Sequence, residues 1–190
     1  VGLPERFTAL YIGAVETNKR LEYLLAAAKT PAMATCSFII VGDGNHIDNL
    51  RQMSREMSLD NVVFTGRIDP SQLPLYYKSG DALILPGRGG MVISEAMAYG
   101  LPVIAYQADG TEYDLVINGK TGILLSAGDA DDISQSIKSL MDSPQKARIM
   151  GEDGQRLIRQ RYSSEDMLAQ ICHCIDRTIQ WRRLSRGIHP

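Results

Sequence analysis

Short apolar stretches of strand length alternate with longer segments of helical period from the start of the chain to about Ser126. This alternation predicts repeated β-α units wound around a parallel sheet. Nearly all of the apolar stretches are continuous runs of Val, Ile and Leu, which is typical of strands buried on both faces. The sequence therefore predicts a doubly wound α/β domain. Its strands are predicted at residues 7–12, 37–41, 62–65, 82–85, 102–105 and 122–125.

The helical segments divide the chain into two parts. Helices are predicted between the strands at about 19–29, 47–58, 71–78 and 91–99, and beyond the last strand at 130–141, 144–161 and 164–183. We predict a sheet domain over residues 1–163 and a helical extension over 164–190. Each strand-to-helix turn carries Gly or Pro, and such turns line the carboxyl edge of an open parallel sheet, where ligands bind.

The charge and the cysteine and histidine content argue against several classes of function for this chain. The 190-residue chain has a formal net charge of -2, so it lacks the basic field that would favour nucleic acid as a partner. Its cysteines follow neither a redox-pair nor a zinc-box spacing, which predicts a reduced, cytosolic protein. The histidines are scattered, so no metal site is expected. The cysteines are Cys36, Cys172 and Cys174, and the histidines are His46, His173 and His189.

The two ends of the sequence carry further expectations. No apolar run approaches the roughly 20 residues of a membrane helix, and the start lacks a signal-peptide layout. Because the chain begins with Val1 and enters a strand almost at once, we expect a fragment of a longer protein. The basic, amphipathic end of the last helix is a candidate contact for a partner domain or a membrane surface, and a solvated helix end is the favoured alternative. Its residues are Arg177, Trp181, Arg182, Arg183 and Arg186.

The most informative segment runs from Leu85 to Ile104, where a strand is followed by a glycine-rich turn, a helix and another strand. Gly89 and Gly90 allow a ligand to approach closely, and bare N–H groups at the start of a helix attract phosphate. Glu95, about one turn into the helix, has a carboxylate that can accept hydrogen bonds from ribose hydroxyls. Taken alone, the segment fits equally well a tight turn followed by an ordinary surface glutamate.

This segment resembles the donor-site signature of retaining GT-B glycosyltransferases of group 1, also called family 4. The family signature ends in Glu-Ala-Met-Ala-x-Gly-x-Pro-Val, and the stretch from Glu95 to Val103 matches it at every fixed position. Further family motifs follow in the same order along nearly the whole chain. They are Tyr11-Ile-Gly13 with Lys19, Val41-Gly-Asp-Gly44, Val63-Phe-Thr-Gly66, Gly80-Asp81, Gly110-Thr-Glu112 and Asn118-Gly-Lys-Thr-Gly122. A dinucleotide-dependent oxidoreductase is disfavoured, because no GxGxxG motif follows the first strand.

The resemblance implies the C-terminal, donor-binding half of a GT-B enzyme, with a Rossmann-like sheet of about six strands and C-terminal helices. In that family the lysine of the first loop neutralises the donor diphosphate, which assigns this role to Lys19, with Arg20 adding charge. Glu95 would hold the nucleotide ribose. Glu112 would lie near the donor pocket, with loop hydrogen bonding as an equal alternative. The other implied donor contacts are Gly13, Gly66, Arg67, Ile68, Gly87, Arg88, Gly89, Gly90 and Met91.

Two positions depart from the family pattern, and both lie close to the chemistry. Counting back from Glu95, the first glutamate of the family's pair would be residue 87, which is Gly87 here. The arginine that usually follows the first-strand glycine is replaced by Ala14. Arg88 carries a fork of donors that could reach the diphosphate or the sugar instead. The alternatives are a redesigned sugar pocket or a domain that has lost catalysis and kept nucleotide binding.

The implied function is transfer of a sugar from a UDP- or GDP-sugar to a glycan, lipid or small molecule with retention, with Lys19, Glu95 and Arg88 as candidate catalytic residues. The donor nucleotide sugar is the only cofactor-like ligand expected. The acceptor would bind a missing N-terminal domain, so the fragment should bind nucleotide weakly and transfer little or no sugar. We expect a cytoplasmic location, with peripheral contact to the inner membrane face. The alternative is a degenerate glycosyltransferase-like module that binds nucleotide or scaffolds polysaccharide assembly.

Overall fold

The structure is a computed structural model, and it describes residues 6–108 and 110–185. The chain divides into two compact units, the first ending at Gln155 and the second beginning at Arg156. The sheet belongs to the first unit, and the last helix belongs to the second. The boundary falls within one long helix, Pro144–Arg161. The functional division that we predict, into residues 1–163 and 164–190, stays a prediction.

In the described residues, six parallel strands form one sheet, which confirms the predicted fold class. The strand order is β3-β2-β1-β4-β5-β6, so the direction of winding reverses between β1 and β4. In open sheets of this kind, ligands bind in the crevice outside the carboxyl ends of the strands at that reversal. The strands are β1 Phe7–Ile12, β2 Cys36–Val41, β3 Val62–Gly66, β4 Ala82–Leu85, β5 Val103–Tyr106 and β6 Gly122–Leu125.

The helices follow the predicted order with two local differences. The predicted helix at 19–29 begins later, because Arg20 has a left-handed backbone (φ 55°) that separates a 3₁₀ turn, Thr17–Lys19, from α1. A short helix that we did not predict, α5, follows directly after Gly110. The helices are α1 Leu21–Ala28, α2 Ile47–Glu56, α3 Leu73–Ser79, α4 Val92–Ala98, α5 Thr111–Leu115, α6 Ala130–Met141, α7 Pro144–Arg161 and α8 Ser164–Ser185. Two further 3₁₀ turns lie at Pro31–Met33 and Pro70–Gln72.

Apolar side chains of the strands form the core of the first unit. Every residue of β4 is buried, so both faces of the sheet are covered. Leu10 in β1 and Ile40 in β2 are also fully buried, and burial of each such side chain contributes about 2 kcal/mol. Cys36 is also fully buried, and burial raises the pKa of its thiol to about 12. This thiol is therefore protonated at neutral pH and acts as a packing residue.

The second unit contains α8, which begins with a side-chain cap. The Ser163 hydroxyl oxygen accepts a hydrogen bond from the Asp166 N–H at 3.0 Å, and the hydroxyl donates to the Asp166 carboxylate at 2.7 Å. Trp181 near the other end is 69% exposed. The Arg183 side chain and Arg186 lie outside the described residues, and the role of this basic end stays a prediction. Within the described ranges, no helix is long and apolar enough to span a membrane.

Candidate functional site

The turns after β1 and β2 are joined at the carboxyl edge of the sheet. The Gly13 N–H donates to the Val41 carbonyl at 3.0 Å, and the Val15 N–H donates to the Asp43 carbonyl at 3.0 Å. A Cβ atom at Gly42 would lie 1.9 Å from the carbonyl oxygen of Gly13, so this approach requires glycine. The two turns therefore form one wall beside the crevice between β1 and β4.

An open cleft of about 610 Å³ borders these turns. It brings together Gly13 and Arg67, two of the predicted donor contacts that are distant in sequence. Gly66 lies at the same edge, where its carbonyl accepts a hydrogen bond from the Gly42 N–H at 3.0 Å. Ile68 follows as a half-buried residue. The turns after β1, β2 and β3 thus border one cleft.

The turn after β4 packs directly on the 3₁₀ turn Thr17–Lys19. The Arg88 N–H donates to the Asn18 carbonyl at 3.3 Å, and the Lys19 ammonium group donates to the Arg88 carbonyl at 2.9 Å. Gly87 is buried between them, and a Cβ atom there would lie 2.3 Å from the Asn18 carbonyl oxygen and 2.8 Å from the Lys19 carbonyl carbon. A glutamate at position 87 is therefore excluded by the path of the backbone.

Beyond Arg88, the same turn presents a row of backbone donors. Within the described part of the chain, the N–H groups of Gly89, Gly90 and Met91 donate to no acceptor. The Arg88 side chain is exposed, and Met91 is 80% exposed. Consecutive free N–H groups beside an ammonium and a guanidinium group are suited to bind an anion. This turn lies at the reversal of strand order between β1 and β4.

Arg20 lies against two aromatic rings. Its guanidinium carbon lies 4.6 Å from the centre of the Tyr23 ring and 4.5 Å from the centre of the Tyr106 ring. Such cation-π contacts each contribute about 0.5–1 kcal/mol at exposed sites. Because two rings lie against the guanidinium group, Arg20 connects the start of α1 to the carboxyl end of β5. Its predicted contact with phosphate stays a prediction.

Glu95 has a partner that the sequence analysis missed. The Tyr77 hydroxyl donates to Glu95 Oε2 at 2.7 Å. The Tyr77 ring also stacks on Tyr99, with a centroid distance of 5.0 Å and an interplanar angle of 8°. Burial, the hydrogen bond to Glu95 and the charge of Glu95 raise the pKa of Tyr77 far above its usual value, so the hydroxyl remains a donor. Tyr77 lies in an ordinary apolar helix pattern, which gave no signal of this contact.

Glu112 is fully buried at the start of α5. Its Oε2 atom accepts a hydrogen bond from the Gly110 N–H at 3.1 Å, which is the loop hydrogen bond considered as an alternative to donor contact. The role of Glu112 toward a donor stays a prediction. Among residues 6–108 and 110–185, no three His, Cys, Asp or Glu side chains cluster in a way that could hold a metal ion.

Comparison with known families decides the membership of the chain. The family model of the glycosyl transferases group 1 matches residues 2–157, which include all six strands and the turns described above. The chain belongs to this family. The tight turn at Gly87 and the free N–H groups at Gly89 to Met91 are thus features of a group 1 glycosyltransferase domain.

Curated relatives agree with this membership. The glycosyltransferase domain is 32% identical over 157 residues to a sulfoquinovosyl transferase of Arabidopsis thaliana, covering 80% of this chain and 30% of the relative. It is 30% identical over 179 residues to an alpha-D-kanosaminyltransferase of Streptomyces kanamyceticus, covering 90% of this chain and 46% of the relative. The chain therefore spans less than half the length of these relatives.

Solved structures share the fold. A sucrose-phosphate synthase from Thermosynechococcus elongatus aligns with a TM-score of 0.84 at 27% identity, over 94% of this chain and 47% of that one. The C-terminal domain of a group 1 glycosyl transferase from Francisella tularensis aligns with a TM-score of 0.76 at 20% identity, over 85% of this chain and 89% of that one. The second likeness shows that the same fold occurs in a structure of a separate C-terminal domain.

Proposed function

We propose that this domain binds the nucleoside diphosphate sugar of a retaining glycosyltransferase, with the diphosphate on the turn from Gly89 to Met91. The observation that carries the proposal is the set of free N–H groups on this turn, next to Lys19 and Arg88 at the β1/β4 crevice. A diphosphate leaving group gains negative charge as the glycosyl bond breaks, so donors and cations fixed in advance lower the barrier.

The similar proteins support a nucleotide sugar as the donor, but they differ in the base of its nucleotide. Anabaena HepE, which has the same fold at a TM-score of 0.80, was crystallised with UDP and glucose and with UDP-glucose. A mannosyltransferase of Mycolicibacterium smegmatis that is 32% identical over 126 residues is GDP-mannose-dependent. We therefore propose a UDP- or GDP-linked donor.

The remaining site residues have assigned roles in this proposal. Lys19 and Arg88 neutralise the diphosphate, Glu95 accepts hydrogen bonds from the ribose, and the turn at residues 66–68 faces the base. The acceptor hydroxyl attacks the sugar from the face that the diphosphate leaves, and the leaving phosphate takes the acceptor proton, so the transfer needs no protein nucleophile. The acceptor is bound by another part of the full-length protein, in a cytoplasmic enzyme of polysaccharide synthesis with a peripheral membrane contact. The 190-residue chain alone then transfers little or no sugar, and efficient transfer by it would contradict this assignment.

A second candidate function follows from Gly87. Because the backbone at this position excludes a glutamate, the domain lacks one donor-sugar contact of its family pattern. A degenerate module that binds nucleotide or scaffolds an assembly would tolerate this loss. Titration of the chain with UDP, GDP, UDP-glucose and GDP-mannose by calorimetry separates a donor domain from a scaffold that has no nucleotide site. A donor domain releases or absorbs heat with at least one of them, whereas a scaffold without a nucleotide site gives none.

Arg88→Ala tests the assignment of the diphosphate to this turn. We expect the affinity for the preferred nucleoside diphosphate to fall about tenfold, because the variant loses a charge-assisted hydrogen bond. The matched control is Arg148→Ala on α7, whose guanidinium group pairs with Glu152 at 3.4 Å and lies outside the proposed site. Calorimetry that finds equal affinities for the two variants would contradict the role of Arg88.

A further inference from the structure

Tyr77 lies outside every motif of the sequence and contacts a residue of the proposed donor site. It is 2% exposed on α3, and its hydroxyl donates to Glu95 Oε2 on α4. Glu95 itself is exposed at the first turn of α4. A buried phenol thus holds one oxygen of a carboxylate whose other oxygen is available to a ligand. Within the described part of the chain, no cationic side chain pairs with Glu95.

The Tyr77 ring is fixed along one ridge of α4. It stacks on Tyr99 at 5.0 Å while its hydroxyl contacts Glu95. Residues 95 and 99 are four apart and therefore lie on the same face of the helix. The Tyr99 N–H also donates to the Glu95 carbonyl at 3.2 Å, so the two contact points belong to one helical turn. Tyr77 consequently constrains the direction of the Glu95 side chain relative to the α4 backbone.

We propose that Tyr77 is a positioning residue that orients the Glu95 carboxylate toward the vicinal hydroxyls of the nucleotide ribose, and so favours ribonucleotides over ribose-modified ones. This inference rests on the proposed function, in which Glu95 accepts hydrogen bonds from the ribose. A free glutamate side chain on the surface must lose rotamer freedom when it binds a ligand. The hydrogen bond from Tyr77 fixes one oxygen in advance, so the ribose meets an oriented acceptor.

The test compares two ligands that differ only in the ribose hydroxyls. UDP and 2′,3′-dideoxy-UDP, or the guanosine pair if the chain prefers GDP, are titrated into the chain and its Tyr77→Phe variant by calorimetry. This substitution keeps the buried ring and removes only the donor. We expect the affinity for the ribonucleotide to fall about fivefold, the value of one net hydrogen bond. The affinity for the dideoxynucleotide should be unchanged.

Two further variants keep the outcome interpretable. Glu95→Gln should reduce the preference for the ribonucleotide over the dideoxynucleotide at least as much as Tyr77→Phe does. Tyr76→Phe on the same helix is the matched control, because the Tyr76 hydroxyl has no hydrogen-bond partner in residues 6–108 and 110–185. Thermal melting shows whether each variant remains folded at the titration temperature.

The possible results separate the inference from the proposed function. An equal loss of affinity for both ligands in Tyr77→Phe would indicate a purely structural role and overturn the inference. Unchanged affinity for both would overturn it as well. If Glu95→Gln loses the preference while Tyr77→Phe retains it, only the inference fails. If the unsubstituted chain binds no nucleotide, the proposed function fails and the inference fails with it.

Discussion

Gly87→Ala is expected to destabilise the chain by about 3 kcal/mol, because overpacking against backbone atoms cannot be relieved by a side-chain rotation. The new Cβ atom would lie 2.3 Å from the Asn18 carbonyl oxygen and 2.9 Å from Lys19 Cα. The turn after β4 must move away, which breaks the hydrogen bonds that join it to Asn18 and Lys19. Urea unfolding measures the loss of stability, and calorimetry measures the accompanying loss of nucleotide affinity.

Gly87→Glu tests whether the chain can accommodate the glutamate of the family pattern. Although it restores the glutamate that the pattern has at this position, we expect it to weaken donor binding further, because the backbone leaves no room for a side chain. Gly154→Ala in α7 is the matched control. Its Cβ atom would be 3.2 Å from the flexible Met97 side chain, and alanine favours a helix interior. Equal stability of Gly87→Ala and Gly154→Ala would contradict the close contact between the turn after β4 and the turn Thr17–Lys19.

Lys19→Met is expected to weaken binding of UDP or GDP about thirtyfold and to leave binding of uridine or guanosine unchanged. The substitution keeps much of the side-chain volume and removes the charge, and a hydrogen bond to a charged group contributes about 2 kcal/mol. It also removes the hydrogen bond from Lys19 to the Arg88 carbonyl, which holds the turn after β4 in place. Calorimetry with the nucleotide and nucleoside pair measures both effects.

The chain offers a close control for this substitution. Lys29 also donates from its ammonium group to a backbone carbonyl, that of Met57, but it follows the end of α1 at the opposite edge of the sheet. Lys29→Met therefore removes the same kind of group away from the proposed site and should leave nucleotide affinity unchanged. A comparable loss of nucleotide affinity in both variants would indicate a general charge effect. Unchanged affinity in Lys19→Met would show that Lys19 does not contact the diphosphate.

Much of the fold could be predicted from the sequence because strands buried on both faces have an unmistakable apolar pattern. β1, β4 and β6 begin and end at the predicted residues, and the other strands differ only at their ends. The start of α1 was wrong because a non-glycine residue, Arg20, adopts a left-handed backbone that local preference does not favour. α5 was missed because a helix of five residues is too short to show a period.

The candidate site was predictable only in part, for a similar physical reason. Lys19 and the turn around Gly89 each follow a predicted strand. Because the turns after parallel strands lie at the carboxyl edge of the sheet, both were predicted to lie there. The sequence could not show that Gly87 is buried against Asn18, since that contact depends on the path of two loops. Tyr77 was missed because its hydrogen bond to Glu95 joins neighbouring helices, and its position in α3 is typical of a core residue.

The central claim is that the turn from Gly89 to Met91, together with Lys19, binds a diphosphate. A crystal structure of the chain with UDP or GDP tests it most directly. The account predicts diphosphate oxygens within hydrogen-bonding distance of the N–H groups of this turn and of the Lys19 ammonium group. A nucleotide bound at another edge of the sheet, or a turn left empty at ligand concentrations that saturate binding in solution, would contradict it.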